Sequence, residues 1–223
     1  MMTLPEYRTI PGRLFKSSLA QVRGYAATRP PGGLAWRDDL THALNRQALE
    51  RDLELMTRAG EDGAYLLMLD LGHFRQLNER RGDLVGDRVL VELTRLVSEA
   101  LRREDRVYRV GGEEFAALLP ALDPFAARKL AERVRFHVEA HLARCVNEKP
   151  WSITVSLGLA PVVSEVQLTL AAAALLLYTA KQRGRNQVCH EVSRPTCRPS
   201  ERARLEAAEP WQPDSAESLG AAD

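Results

Sequence analysis

Arg106-Val107-Tyr108-Arg109-Val110-Gly111-Gly112-Glu113-Glu114-Phe115-Ala116-Ala117-Leu118-Leu119-Pro120 is two short apolar runs joined by a glycine pair and two acids. Paired glycines between β-type runs favour a tight hairpin whose central residues take positive φ. Glu113 and Glu114 then lie at the tip. As neighbours on a strand they leave opposite faces, so only one of them enters any given site. A carboxylate beside bare glycine backbone suits the approach of a metal or of phosphates. The same four residues also fit a solvated turn, and the surrounding chain has to decide between the two.

Upstream, Ala64 to Leu71 is a short apolar run ending in Asp70-Leu71. Such a run reads as a strand buried on both faces, with the carboxylate emerging at its end. Before it, Leu44, Leu49, Leu53 and Met56 recur at helical spacing, with Asp38 or Thr41 available as N-cap and Gly60 as terminator. After it, Gly72 to Asp87 leads into a helix whose apolar face is Val89, Leu90, Leu93, Leu96, Val97, Ala100 and Leu101. Downstream of the hairpin, Asp123-Pro124 opens another helix with a cap and a first-turn proline. Trp151 to Leu159 alternates as a strand, and Ser164 with Gln167 forms a capping box for a last helix through Lys181. A brief strand follows over Gln187 to Val192. The predicted fold is α/β, an α+β sandwich with a mixed central sheet, flanking helices and the hairpin inside it.

The chain has 223 residues, 45% of them hydrophobic, enough for one ordinary domain with extensions. Three segments are predicted: an N-terminal extension and linker over 1–36, the domain over 37–192, and a disordered, Pro- and Ala-rich tail over 193–223. Leu14, Phe15, Leu19 and Val22 form an apolar stripe in the extension, open to packing on the domain, to pairing with a second chain, or to contact with a membrane surface. Lys+Arg 31 against Asp+Glu 30 leaves a net charge of +1, which argues against a nucleic acid polymer as partner. Three cysteines without metal-type spacing suit a reduced, cytoplasmic protein. Leu168 to Ala180 is shorter than the roughly 20 residues of a spanning helix, so membrane insertion is not expected.

Taken together these markers resemble the GGDEF family, the diguanylate cyclases, over about Asp38 to Val192. They run in the family's order: Asp39-Leu40-Thr41 with Asn45-Arg46; Asp70-Leu71 with Phe74 and Asn78; Gly82 and Gly86-Asp87; Gly111 to Phe115; Thr154 to Gly158; Tyr178 to Lys181 with Gly184-Arg185-Asn186. The resemblance implies a nucleotidyl cyclase-like fold and a homodimer that condenses two GTP into cyclic di-GMP and pyrophosphate with Mg²⁺ or Mn²⁺. It implies Asp70, Glu113 and the backbone carbonyl of Leu71 as metal ligands, with Asp70, Glu113 and Glu114 as the catalytic acids. Asn78 and Asp87 would read guanine. Gly111 and Gly112 would admit the phosphates, and Arg75, Lys181 and Arg185 would bind them, the last two four apart and so on one helical face. Arg102 and Asp105 match the family's inhibitory product site, where arginine and aspartate suit the two edges of guanine.

Four positions depart from the pattern. Gly72 replaces an acid after Asp70-Leu71, Arg75 replaces lysine, Asp83 replaces histidine and Ala174 replaces aspartate. An arginine fork is not interchangeable with an ammonium. His73 lacks partners at ligand spacing and reads as a surface residue. The departures leave a second reading open, a catalytically impaired module that senses GTP or cyclic di-GMP through protein contacts.

Overall fold

Tyr65-Leu66-Leu67-Met68-Leu69-Asp70-Leu71 is buried at every position, and a strand with no solvent face belongs in the middle of a sheet covered on both sides. The computed structural model of the chain, which describes residues 33–59, 63–145 and 153–190, has this arrangement. A short 3-10 turn, Leu34–Trp36, precedes β1 (Leu44–Asn45) and α1 (Arg46–Ala59). Then come β2 (Tyr65–Leu71), α2 (Phe74–Arg81), α3 (Asp83–Ala100), β3 (Arg106–Arg109) and β4 (Glu114–Leu119). The chain continues through α4 (Pro124–Cys145), β5 (Val155–Pro161), α5 (Val166–Gln182) and β6 (Val188–His190). The six strands are ordered β1-β3-β4-β2-β5-β6. β2 pairs antiparallel with β4 and β5, and the parallel pairs lie at the two edges. The mixed, helix-covered sheet is the predicted α/β class.

Alternation along β2 divides the core. Leu67, Leu69 and Leu71 face α3 and α4, meeting Leu90, Leu93, Val97, Ala131 and Val134. Leu66 and Met68 face α1 and α5, meeting Leu49, Leu53, Met56, Ala173 and Leu177. Each fully buried leucine contributes about 1.5–3 kcal/mol, so the two layers together hold the sheet between helices. The strand's last two residues inherit this alternation, which sends Asp70 and Leu71 to opposite faces.

Several local expectations are corrected. The cap of α1 is Asn45, whose Oδ1 accepts from Ala48 N at 3.1 Å, while Asp38 instead accepts from Thr41 N and Oγ1 at 2.8 and 2.7 Å. Gly111 and Gly112 are not among the positive-φ residues. Their loop has four residues, not two, and is closed by Val110 N and Gly111 N donating to Glu114 O at 2.9 and 3.3 Å. A longer loop turns without left-handed backbone at its glycines. The box on α5 does not form: Glu165 is its N-cap without a side-chain bond, and Thr169 Oγ1 accepts from Val163 N at 3.0 Å. Asp123 does cap α4, accepting from Phe125 N and Ala126 N, both at 2.9 Å. The N-terminal stripe and the tail lie outside the described residues.

Candidate functional site

β2 and β4 end together, and their ends make the site. Asp70 pairs in register with Glu114 on one side and with Ser156 on the other. Residues directly opposite in an antiparallel pair share a face, so the Asp70 and Glu114 side chains leave the sheet on the same side. Glu113 lies just outside β4, and its carbonyl accepts from Leu71 N at 3.5 Å, at the limit of a hydrogen bond. Glu113 therefore belongs to the loop, not to the strand as the sequence suggested, while remaining next to the end of β2. Gly112 is exposed, with no heavy atom within 4 Å of where a Cβ would stand, so the tip presents bare backbone.

Asp70 is buried, and a buried carboxylate requires a partner. Lys181 in the last turn of α5 provides it, Nζ to Oδ2 at 2.7 Å. Arg185 does not continue that helical face. α5 ends at Gln182, and Arg185 stands beyond it with φ of 62°, its amide donating to Ala180 O at 3.0 Å. It still reaches the same place: a Cβ on Gly72 would meet Arg185 Cδ at 3.7 Å. Gly72 is buried and donates to Thr154 O at 2.8 Å, so the missing acid has not undone the turn after β2.

A second cluster lies where α2 meets α3. Asn78 Oδ1 is buried without a hydrogen-bond partner in the protein. Gly86 makes the space for it, because a Cβ there would stand 2.0 Å from Asn78 Oδ1 and 3.1 Å from Phe74 Cζ. An orphaned buried acceptor costs on the order of 1–3 kcal/mol unless a donor, water or ligand, answers it. Asp87 follows Gly86 directly and is half-buried. Arg75, in contrast, is exposed and ion-paired with Glu79 at 3.1 Å on its own helix. His73 is exposed, as predicted, and stands at the N-terminus of α2 with φ of 63°.

Arg102 and Asp105 lie at the far end of β3 from the hairpin tip. Arg102 Nη2 donates to Asp105 Oδ1 and to Pro120 O, both at 2.7 Å, and Arg102 N to Asp105 Oδ2 at 2.8 Å. Burial pushes the Asp105 carboxyl above its ordinary value, outweighing the opposing bonds from Arg102. The pair lines a cleft of about 250 Å³ together with Arg37, Thr94, Ser98 and Arg106.

One contributor was not singled out from the sequence. The Arg109 guanidinium donates to Gly112 O at 2.8 and 3.1 Å and to Asp38 Oδ1 at 2.9 Å, tying the hairpin tip to the segment before β1. Burial raises the Asp38 carboxyl, but the bonds from Thr41 and Arg109 outweigh it and hold the group below its ordinary value. No local pattern announces a pair 71 positions apart.

The family model described as diguanylate cyclase, GGDEF domain, matches residues 35–187. The chain belongs to the GGDEF family. This GGDEF chain is 34% identical over 174 residues to the probable diguanylate cyclase DgcT of Escherichia coli, covering 74% of the chain and 37% of that protein. The GGDEF domain of DgcB from Caulobacter crescentus, solved with c-di-GMP, superposes with a TM-score of 0.65 at 28% identity, over 72% of this chain and 98% of that one. The diguanylate cyclase SiaD of Pseudomonas aeruginosa, solved with its activator SiaC, gives 0.66 at 32% identity, over 78% and 67%. The chain spans less than half the length of the first curated relatives it matches.

Proposed function

We propose that this GGDEF domain is a diguanylate cyclase that joins two GTP molecules into cyclic di-GMP. The observation that carries the reading is the Asp70–Lys181 ion pair of 2.7 Å at the end of β2, in register with the Glu114 of the hairpin. In each of two steps a ribose 3′-oxygen bonds to the α-phosphorus of the other GTP, the α–β bridging bond breaks, and pyrophosphate and the hydroxyl proton leave. Two GTP molecules must face one another, which calls for a homodimer with one substrate held by each copy.

The donor set fits a divalent cation. Two carboxylates, Asp70 and Glu113, and the carbonyl of Leu71 are oxygen ligands of the kind Mg²⁺ or Mn²⁺ accepts, and the Lys181 ammonium against Asp70 supports the reading of this carboxylate as an ionised group. Among the described residues no three His, Cys, Asp or Glu side chains form a metal-sized group, so phosphate oxygens and water would complete the shell. Bound there, the cation supplies charge neutralisation on the phosphates and activation of the attacking oxygen. Lys181, against Asp70, and Arg185, beside Gly72, add charge for the phosphates at the same end of β2. Asn78 and Asp87 read the base: the orphaned Asn78 Oδ1 accepts a guanine N–H, and an aspartate accepts from guanine N1 and N2. Glu114 orients charge beside Asp70, and Gly111 with Gly112 leaves the approach open.

Arg102 and Asp105 serve as the inhibitory product site, where cyclic di-GMP replaces their mutual bonds with guanine contacts. Among the described residues no helix is long and apolar enough to cross a membrane. Glu113→Ala tests the assignment. It removes one ligand from a half-buried loop position outside the two core clusters, so synthesis should vanish while the thermal melt moves little. Full turnover in that variant would remove Glu113 from the site.

A further inference from the structure

The loop that carries Arg185 has three consecutive residues with positive φ: Gly184 at 108°, Arg185 at 62° and Asn186 at 44°. Left-handed backbone is unfavourable for L residues other than glycine and persists where the surroundings impose it. Backbone bonds from Gly184 N to Lys181 O and from Arg185 N to Ala180 O tie the loop to the end of α5, and on its other side Asn186 has both ends of its amide engaged. Oδ1 accepts from Arg135 Nη1 at 3.1 Å, and Nδ2 donates to Glu139 Oε1 at 2.8 Å. Arg135 and Glu139 belong to α4, on a layer separate from α5, and neither lies in the GGDEF sequence markers.

Arg135 is itself fixed. Its side chain is only 11% exposed, Nε donates to Glu132 at 2.9 Å, Nη1 to Glu139 at 2.9 Å, and the guanidinium stacks 3.8 Å from the Phe136 ring centroid. A donor and an acceptor in fixed places on a rigid helix admit one orientation of the asparagine amide. That orientation sets the backbone of the preceding residue, whose side chain lies over Gly72 at the end of β2.

We propose that Arg135 and Glu139, acting through Asn186, are positioning residues that aim Arg185 at the phosphate end of the substrate site. The clamp touches no substrate. It fixes one of the two cations facing the β2 end, and leaves Lys181 to Asp70. The inference rests on the nucleotide-binding part of the proposed function.

The test separates geometry from fold and from turnover. Asn186→Gly keeps the left-handed backbone accessible and removes only the amide bonds. Glu139→Ala opens the clamp from the helix side, and Glu139→Gln retains an acceptor for Asn186 Nδ2. Binding of α,β-methylene GTP, which cannot release pyrophosphate, is measured by calorimetry beside initial rates with GTP and Mg²⁺. Loss of a fixed charged contact to phosphate predicts weakening of about tenfold in Arg185→Ala, Asn186→Gly and Glu139→Ala. Glu139→Gln should recover most of it, and Asn186→Gly with Arg185→Ala should be no worse than Arg185→Ala alone. Wild-type affinity in Asn186→Gly and Glu139→Ala, or losses that multiply in the double variant, would overturn the clamp. Binding without turnover in the wild type, with the same variant pattern, would sink the cyclase reading and keep the clamp. Absence of binding in the wild type would overturn both.

Discussion

Asp70 shows how much one side chain decides. A carboxylate at the end of a strand whose other residues are apolar is costly unless charge answers it, and Lys181 does so at 2.7 Å. Asp70→Asn keeps the shape and removes the charge, so kcat should fall by about 10²–10³-fold with little change in secondary structure. Steady-state rates and circular dichroism check this together. Gly86 makes the complementary point about space. Its missing Cβ leaves room for Asn78 Oδ1, and Gly86→Ala forces a contact of 2.0 Å to relax. It should cost about 1–3 kcal/mol in urea denaturation and raise KM for GTP. Asp38 couples the site to pH. Its folded pKa is lowered, so the stability it contributes is fully present above the unfolded carboxylate value of about 4 and is lost as pH falls through the folded value. Melts of the wild type and Asp38→Asn should therefore differ at pH 7 and converge only as pH falls from about 4 through the lowered folded value.

At the scale of elements, strand β2 and helices α3 and α4 were legible because their patterns are long and carried by burial, which is a property of the residues themselves. The Asp123 cap of α4 was legible too, but other ends of elements were not. Asn45 caps α1 where Asp38 and Thr41 were also available, because the helix begins only at Arg46, and Asp38 bonds Thr41 and Arg109 instead. Lys181 and Arg185 read as one helical face, and the chain leaves the helix between them. In each case a contact distant in sequence overrides a local preference. The GGEEF carboxylates and the Asp70 acid were visible as types at recognisable spacing, but Arg109, Asn186 and Arg135 act through ties that no periodicity encodes. Packing of α5 on the sheet is equally nonlocal. A Cβ on Gly158 would stand 2.3 Å from both Ala173 O and Leu177 N, backbone atoms that cannot move alone. Gly158→Ala should separate α5 from β5 and lower the urea midpoint by the equivalent of about 3 kcal/mol, lowering GTP affinity with it because Lys181 rides on that helix.

For the whole molecule, the proposed cyclase chemistry would need two copies. One domain offers one acid cluster, one candidate base pocket and one set of phosphate cations, whereas cyclic di-GMP contains two guanylyl units joined by two equivalent bonds. The Arg102–Asp105 pair lies at the other end of β3, so product held there would leave the Asp70 end chemically intact and restrain the domain from a distance. Arg102→Ala should therefore relieve inhibition by added cyclic di-GMP without altering the initial rate. The most direct measurement is chromatography of the products formed from GTP and Mg²⁺ by the purified protein, freed of bound nucleotide, over a range of protein concentrations and beside Asp70→Asn. Cyclic di-GMP whose rate of formation rises faster than linearly with protein, and which is lost in the variant, is the predicted result. Folded protein that binds GTP and yields no cyclic di-GMP at any concentration would contradict the assignment as a cyclase.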